Sequence, residues 1–206
     1  MGVDAVVDLA ARRRGVVGED DDLLLVSEQG QSIRFSADDE QLRPMGRATA
    51  GVKGMRFKGD DQLLAMTVAK DGEYLLVATS GGYGKRTAIE EYTPQGRGGL
   101  GVMTFKYTPK RGKLIGAISV DEDDEIFAIT SAGGVIRTEV DQIRPSSRAT
   151  MGVRLVNLGD DVELLAIDRN VEEDGEEDAQ AVAKGEKTVD EVQQEHKAGD
   201  ASKDEE

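Results

Sequence analysis

Three stretches of this chain repeat one order of apolar and polar positions: LLLVSEQGQSIRF from Leu23, LLVATSGGYGKRT from Leu75 and IFAITSAGGVIRT from Ile126. Each has an apolar run of strand length, a small or polar turn with glycine at one place (Gly30, Gly82, Gly133), and a second short run carrying an arginine (Arg34, Arg86, Arg137). Two short runs separated by a glycine turn predict a β-hairpin. The arginines are 52 and 51 residues apart, so the hairpin belongs to a repeated unit, and a period near 50 is that of a blade array.

The match continues downstream through RATAGV at Arg47, RGGLGV at Arg97 and RATMGV at Arg148. A third run follows in each unit (KGMRF, MTFKY, RLVNL) and a fourth closes it (QLLAMTV, KLIGAISV, VELLAID). With four strand-like runs and no helical period, the units predict an all-β fold of propeller-like, four-stranded blades. Three blades are legible, and each unit is expected to fold as one blade.

Charge divides the chain. The net charge is −15, and from Arg169 onward 14 acidic residues face five basic ones, with no aromatic residue. A segment so poor in apolar surface cannot offset its ordering entropy. Residues 169–206 are therefore expected to be a disordered acidic tail, residues 19–168 the blades, and residues 1–18 a divergent segment or edge strand. No apolar run reaches membrane-spanning length and no signal segment opens the chain, so a soluble, cytoplasmic protein without membrane contact is expected.

Candidate chemistry is sparse. There is no cysteine, and the single histidine, His196, lies in the acidic stretch; thiolate chemistry and a His-dependent triad within one chain are excluded. PQGRGGLG, residues 94–101, satisfies G-x-G-x-x-G with Gly96, Gly98 and Gly101, but it leads into a strand-like run instead of the helix a dinucleotide needs. GGYGKRT lacks the Ser or Thr that follows the lysine of a phosphate loop, and DEDDE at Asp121 has Ile126 where a calcium loop needs glycine. No carboxylate pair is singled out for glycoside chemistry. Neither a catalytic site nor a cofactor or metal is expected.

At QGRGGLG, residues 95–101, with RPMGRATAGVKGMRF upstream and GGVIRTEVDQIRPSSRATMGVRL downstream, the chain resembles the C-terminal domains of bacterial DNA gyrase A subunits over roughly residues 19–168. The resemblance implies a β-pinwheel, a six-bladed disc whose basic outer rim bends and wraps duplex DNA. The family's hallmark is a box of pattern Q-R-R-G-G-(K/R)-G. Gln95, Arg97, Gly98, Gly99 and Gly101 match it, while Gly96 and Leu100 replace two basic positions. The family's catalytic tyrosine belongs to a cleavage domain preceding the pinwheel, so Tyr74, Tyr83, Tyr92 and Tyr107 are not assigned that role and a non-catalytic piece of a type IIA topoisomerase is expected.

The implied partner is double-stranded DNA, held without sequence preference through phosphates. Lys85, Arg86, Arg97 and Lys106 are candidates in the middle of the chain, followed by Lys110, Arg111 and Lys113. Arg43, Arg47, Lys53 and Arg56 before them, with Arg144, Arg148 and Arg154 after, would extend the track. Arg34, Arg86 and Arg137 recur at one hairpin position, which fits an inter-blade ion pair or stacking contact as well as a DNA contact. The acidic tail is expected to modulate wrapping, by competing with DNA for the rim or by repelling DNA, the alternative being a tail that only solubilises. Two other readings stand beside this one: a protein-interaction module using the disc face or edge, and an inactive remnant whose open blade edges self-associate or meet other gyrase segments.

Overall fold

The computed structural model describes residues 17–46 and 48–170. Residues 1–16, Arg47 and the segment from 171 lie outside the described residues, and with them almost all of the expected N-terminal segment and acidic tail. The described chain is all-β. Eleven strands, two of them only two residues long, form three antiparallel sheets, and two single-turn 3-10 helices (Ile89–Glu91, Pro109–Arg111) lie in the connections. No helix among the described residues is long and apolar enough to cross a membrane.

The three expected hairpins are present. Strand β1 (Asp22–Ser27) pairs with β2 (Gln31–Ser36), β4 (Tyr74–Thr79) with β5 (Tyr83–Ala88), and β8 (Glu125–Thr130) with β9 (Val135–Glu139). Their registers coincide, placing Leu24 opposite Arg34, Leu76 opposite Arg86 and Phe127 opposite Arg137. The turn glycines sit at φ 87°, 77° and 80°, a left-handed conformation that side-chain-bearing residues rarely adopt. On the other side of each hairpin runs the strand from the unit's fourth apolar run: β3 (Leu63–Ala69), β7 (Leu114–Val120) and β11 (Leu164–Asn170).

The third run behaves differently from the expectation. It yields only β6 (Val102–Met103) and β10 (Val153–Arg154), and neither joins its own unit's sheet. β6 pairs with β2 and β10 with β5, so each crosses to the preceding sheet and closes its edge, giving the orders β3-β1-β2-β6 and β10-β5-β4-β7. Beyond these short pairings the chain turns inward. Thr104 and Phe105 both donate their amides to Gly30 O, and Leu155 and Val156 likewise to Gly82 O. Phe105 and Val156 then bury their side chains between sheets, which stops the run from continuing along the edge. In the third sheet, β11-β8-β9, the β9 edge has no such strand among the described residues.

Alternation along the strands builds the cores between sheets. Leu24 and Val26 of β1 meet Leu75 and Val77 of β4 in one core. Leu76 and Ala78, on the other face of β4, meet Ile126 and Ala128 of β8 in the next. A strand buried on both faces reads as a continuous apolar run, which explains LLLV and LLVA. Strands β3 and β7 pack together, as do β7 and β11, so they form the inner edge. β6 and β10 therefore lie at the outer edge.

Candidate nucleic-acid interface

The turn that contains the glycine box begins and ends on the preceding repeat. Gln95 donates its amide to Arg34 O at 2.7 Å, and β6 takes over at Val102. One repeat later Ser146 donates to Arg86 O at 2.9 Å, and β10 takes over at Val153. Both turns are thereby held at the outer edge. Gly98 and Gly101 of the first turn have φ 78° and 66°, and a Cβ on Gly101 would stand 2.0 Å from Ser32 O. Close backbone approach is the reason for glycine there.

Arg97 and Arg148 head the two turns and grip the repeat before them in the same way. The Arg97 amide donates to Gln41 Oε1 at 3.1 Å and its NH1 to Lys53 O at 3.4 Å. The Arg148 amide donates to Glu91 Oε2 at 3.0 Å and its NH1 to Met103 O at 3.2 Å. Gln41 and Glu91 are 50 residues apart, as are Lys53 and Met103. Arg97 also donates Nε to Gln41 O at 2.5 Å, whereas Arg148 lies 6.0 Å from the Tyr92 ring centroid. Both arginines are partly exposed.

A second cation stands beside each turn. Arg56 donates its amide to Gly99 O at 2.8 Å and its Nε to Gly98 O at 2.9 Å. Lys106, 50 residues later, donates its amide to Thr150 O at 3.0 Å. Arg56 and Lys106 are both exposed, as are Lys53, Arg43, Lys110, Lys113, Arg144 and Arg154. Arg111 and Arg154 approach the Tyr83 ring, at 4.3 and 5.4 Å from its centroid, and Arg154 NH2 donates to the Tyr83 hydroxyl at 3.0 Å. That hydrogen bond, with the nearby positive charge, holds the Tyr83 phenol below its ordinary pKa. Among the described residues no group of three or more His, Asp or Glu side chains is arranged to hold a metal ion.

Lys85 and Arg86 lack the exposure expected of phosphate contacts: their relative exposures are 0% and 2%. Arg86 NH2 binds Glu122 at 2.8 Å, and its Nε donates to Ile143 O at 2.5 Å. Arg34, its counterpart, binds Asp22 and Asp71 and reaches Ile89 O and Tyr92 O. Tyr92 and Ile143 are 51 residues apart, so both buried arginines reach the same carbonyl position in the following repeat. Of the two uses left open for this arginine set, the geometry displays ion pairs at Arg34 and Arg86 and, at Arg86 alone, a stacking contact, with Tyr74. Arg137 is paired with Glu125 and exposed.

The structure thus gathers Gln95, Arg97, Gly98, Gly99, Gly101, Lys106 and Arg148 at the outer edge and places Lys85 and Arg86 inside; Arg47 lies outside the described residues. Gln41 and Glu91 were not singled out from the sequence. Their signal was available, because each stands six residues before the turn arginine of its own repeat.

Comparison with known proteins agrees with this architecture. The family described as DNA gyrase C-terminal domain, beta-propeller, matches residues 21–70, 73–121 and 124–170. The DNA gyrase A subunit of Mycobacterium tuberculosis (strain CDC 1551 / Oshkosh) is 65% identical over 160 residues, covering 78% of this chain and 19% of that protein. Its counterpart in Streptomyces coelicolor (strain ATCC BAA-471 / A3(2) / M145) is 55% identical over 157 residues, covering 76% and 18%. The chain therefore spans about a fifth of the length of the curated relatives it matches. A solved DNA gyrase A C-terminal domain superposes with TM-score 0.68 at 28% identity, covering 75% of this chain and 52% of that one. The C-terminal domain of a DNA topoisomerase IV superposes with TM-score 0.71 at 23% identity, a likeness of fold, covering 82% and 52%. Three matched repeats, three sheets and the shared identity place this chain in the family of DNA gyrase A C-terminal domains, as a β-pinwheel.

Proposed function

We propose that the outer edge of these sheets binds duplex DNA through its phosphates and bends it, as the non-catalytic wrapping part of a type IIA topoisomerase that supports supercoiling in a gyrase complex. The observation that carries this reading is the recurrence of one basic pair, Arg56 with Arg97 and Lys106 with Arg148, at the same outer position of successive repeats. Bending 20–30 base pairs by 40–90° costs roughly 1–6 kcal/mol, so a single cation is insufficient and a periodic track is needed. Lys53, Lys110, Arg111 and Arg154 lie on elements flanking the two pairs and extend it. Most of the net charge of −15 falls from Arg169 onward in the sequence, and in this reading that acidic segment competes with DNA for the rim cations.

One feature favours a protein-interaction module as a second reading: the third sheet leaves Ile129, Val135, Ile136 and Leu165 exposed. Fluorescence anisotropy of a labelled duplex of about 40 base pairs, read against salt, separates the two. The DNA reading expects log–log salt dependence whose slope falls by about 0.9 for each phosphate contact removed in Arg56→Ala, Arg97→Ala, Lys106→Ala or Arg148→Ala. It expects tighter binding by a chain ending at Asn170. Absence of salt-dependent binding by the folded, shortened chain would overturn it.

A further inference from the structure

Lys85 is fully buried, yet it is a lysine, and among the described residues the acceptors of its ammonium all belong to the turn that carries Arg148. Nζ donates to Ser147 O at 2.6 Å, to Arg148 O, and to Thr150 Oγ1 at 3.2 Å. An ammonium has three protons to donate, and the turn supplies three acceptors. Thr87, on the same face of β5, donates its hydroxyl to Ser146 O at 2.9 Å and extends the contact by one residue.

The preceding repeat shows why an ammonium is needed there. Lys85 occupies the place that Ile33 holds in β2, the residue just before the repeated arginine. Above Ile33 the turn is built on glycine: Gly98 is left-handed, and a Cβ on Gly99 would stand 3.4 Å from the Ile33 side chain. Above Lys85 the corresponding residues are Ala149 and Thr150, and Ala149 is not left-handed. The carbonyls of Ser147 and Arg148 both accept from Lys85 Nζ, and Ser147 O also accepts the Thr150 hydroxyl at 3.0 Å. Leaving a buried carbonyl unmet costs about 1–3 kcal/mol, and Lys85 is what meets that of Arg148.

We propose that Lys85 is a positioning residue for the rim: by gathering the Ser147–Thr150 turn from beneath, it sets where Arg148 stands beside Lys106. This rests on the DNA reading of the rim. Arg148 is then fixed at three points, its amide by Glu91, its carbonyl by Lys85 and its guanidinium by Met103 O. The charged and titratable groups around the ammonium are Glu91, which favours its charge, and Arg148, which opposes it; Tyr92 lies beneath the Arg148 guanidinium. Lys85 contacts no phosphate in this arrangement and acts through Arg148.

The test is a double-mutant cycle on the full chain with Lys85→Met, Arg148→Ala and the combination, read by anisotropy on the 40-base-pair duplex. Amide hydrogen exchange over residues 146–151 is measured on the same proteins without DNA. Lys85→Met is expected to weaken DNA binding by about five- to tenfold in the wild-type background and by less than about twofold when Arg148 is already absent. Exchange should accelerate over the turn and stay unchanged at β1 and β2. Equal weakening in both backgrounds would overturn the proposal, because Lys85 would then act by its own charge; so would an unchanged turn. If Lys85→Met does not fold, Lys85→Gln removes the ammonium while keeping a polar side chain and leaving the Thr150–Ser147 hydrogen bond in the turn untouched, and the same two readouts apply. A wild-type chain that binds no DNA defeats the rim reading, while the exchange measurement still decides whether Lys85 holds the turn.

Discussion

The guanidinium of Arg86 lies over the ring of Tyr74, 4.6 Å from its centroid. In the first sheet the same two places hold Arg34 and Asp22, joined at 2.6 Å. In the third they hold Arg137 and Glu125, joined as an ion pair. The repeat keeps its arginine and changes what meets it. Arg86 is the most enclosed of the three, and its NH1 is buried without a hydrogen-bond partner among the described residues. The π face of Tyr74 and the Glu122 carboxylate answer its charge instead.

That difference predicts unequal roles for equivalent arginines. Arg86→Ala should lower stability by about 2–4 kcal/mol, since it removes a desolvated cation–π contact and charge-assisted hydrogen bonds, including the one to Ile143 O. Arg137→Ala, whose ion pair is solvent-exposed, should cost about 0–1 kcal/mol. Urea denaturation of the two variants measures both. Equal losses would show that burial is not what distinguishes them.

Stability should depend on pH through two buried groups of opposite sign. Burial pushes the Lys85 ammonium down from 10.5 to about 8, and burial pushes the Tyr92 phenol up from 10.0 to about 12. Between pH 8 and 10.5 the unfolded chain keeps a lysine proton that the folded chain has released, so this lysine makes stability rise with pH. Above pH 10 the unfolded chain loses the tyrosine proton first, and that contribution falls. Denaturation midpoints from pH 7 to 11 should show the rise in wild type and not in Lys85→Met. In Tyr92→Phe the fall should be smaller. A lysine contribution of the opposite sign would mean that its hydrogen bonds outweigh its desolvation.

The glycines of the box are expected to divide by backbone geometry. Gly101→Ala places a Cβ 2.0 Å from Ser32 O at a φ of 66° and should cost more than about 1 kcal/mol while loosening β6 from β2. Gly96→Ala has nothing within 4 Å of its new Cβ and should be close to neutral. Thermal denaturation ranks them. A neutral Gly101→Ala would show that the turn can move away from the Ser32 carbonyl.

The third sheet should make the chain prone to self-association. Val135 on β9 is 61% exposed, at the position where the other two sheets receive β6 and β10. An open apolar edge invites pairing with another chain, and a lysine on it discourages that. Light scattering should show mass rising with concentration in wild type and less so in Val135→Lys, with melting unchanged. A concentration-independent monomer in both would remove the edge from consideration.

The hairpins, the period near 50 and the all-β class are legible in the order of residues alone. They follow from short-range pattern: an apolar run, a glycine able to take positive φ, and a second run suffice to place β4 against β5. The same pattern marks Arg97 and Arg148 as equivalents. Which sheet the third run joins, and which cations face solvent, is settled only once the sheets pack. Two residues such as Val102 and Met103 make too few pairings to choose a partner locally, and what places them against β2 is the burial of Phe105 beneath Gly30. Lys85 and Lys106 look alike in the chain. One is enclosed because the next repeat lays the Ser147–Thr150 turn over it, and the other stays exposed, a distinction made by non-local packing.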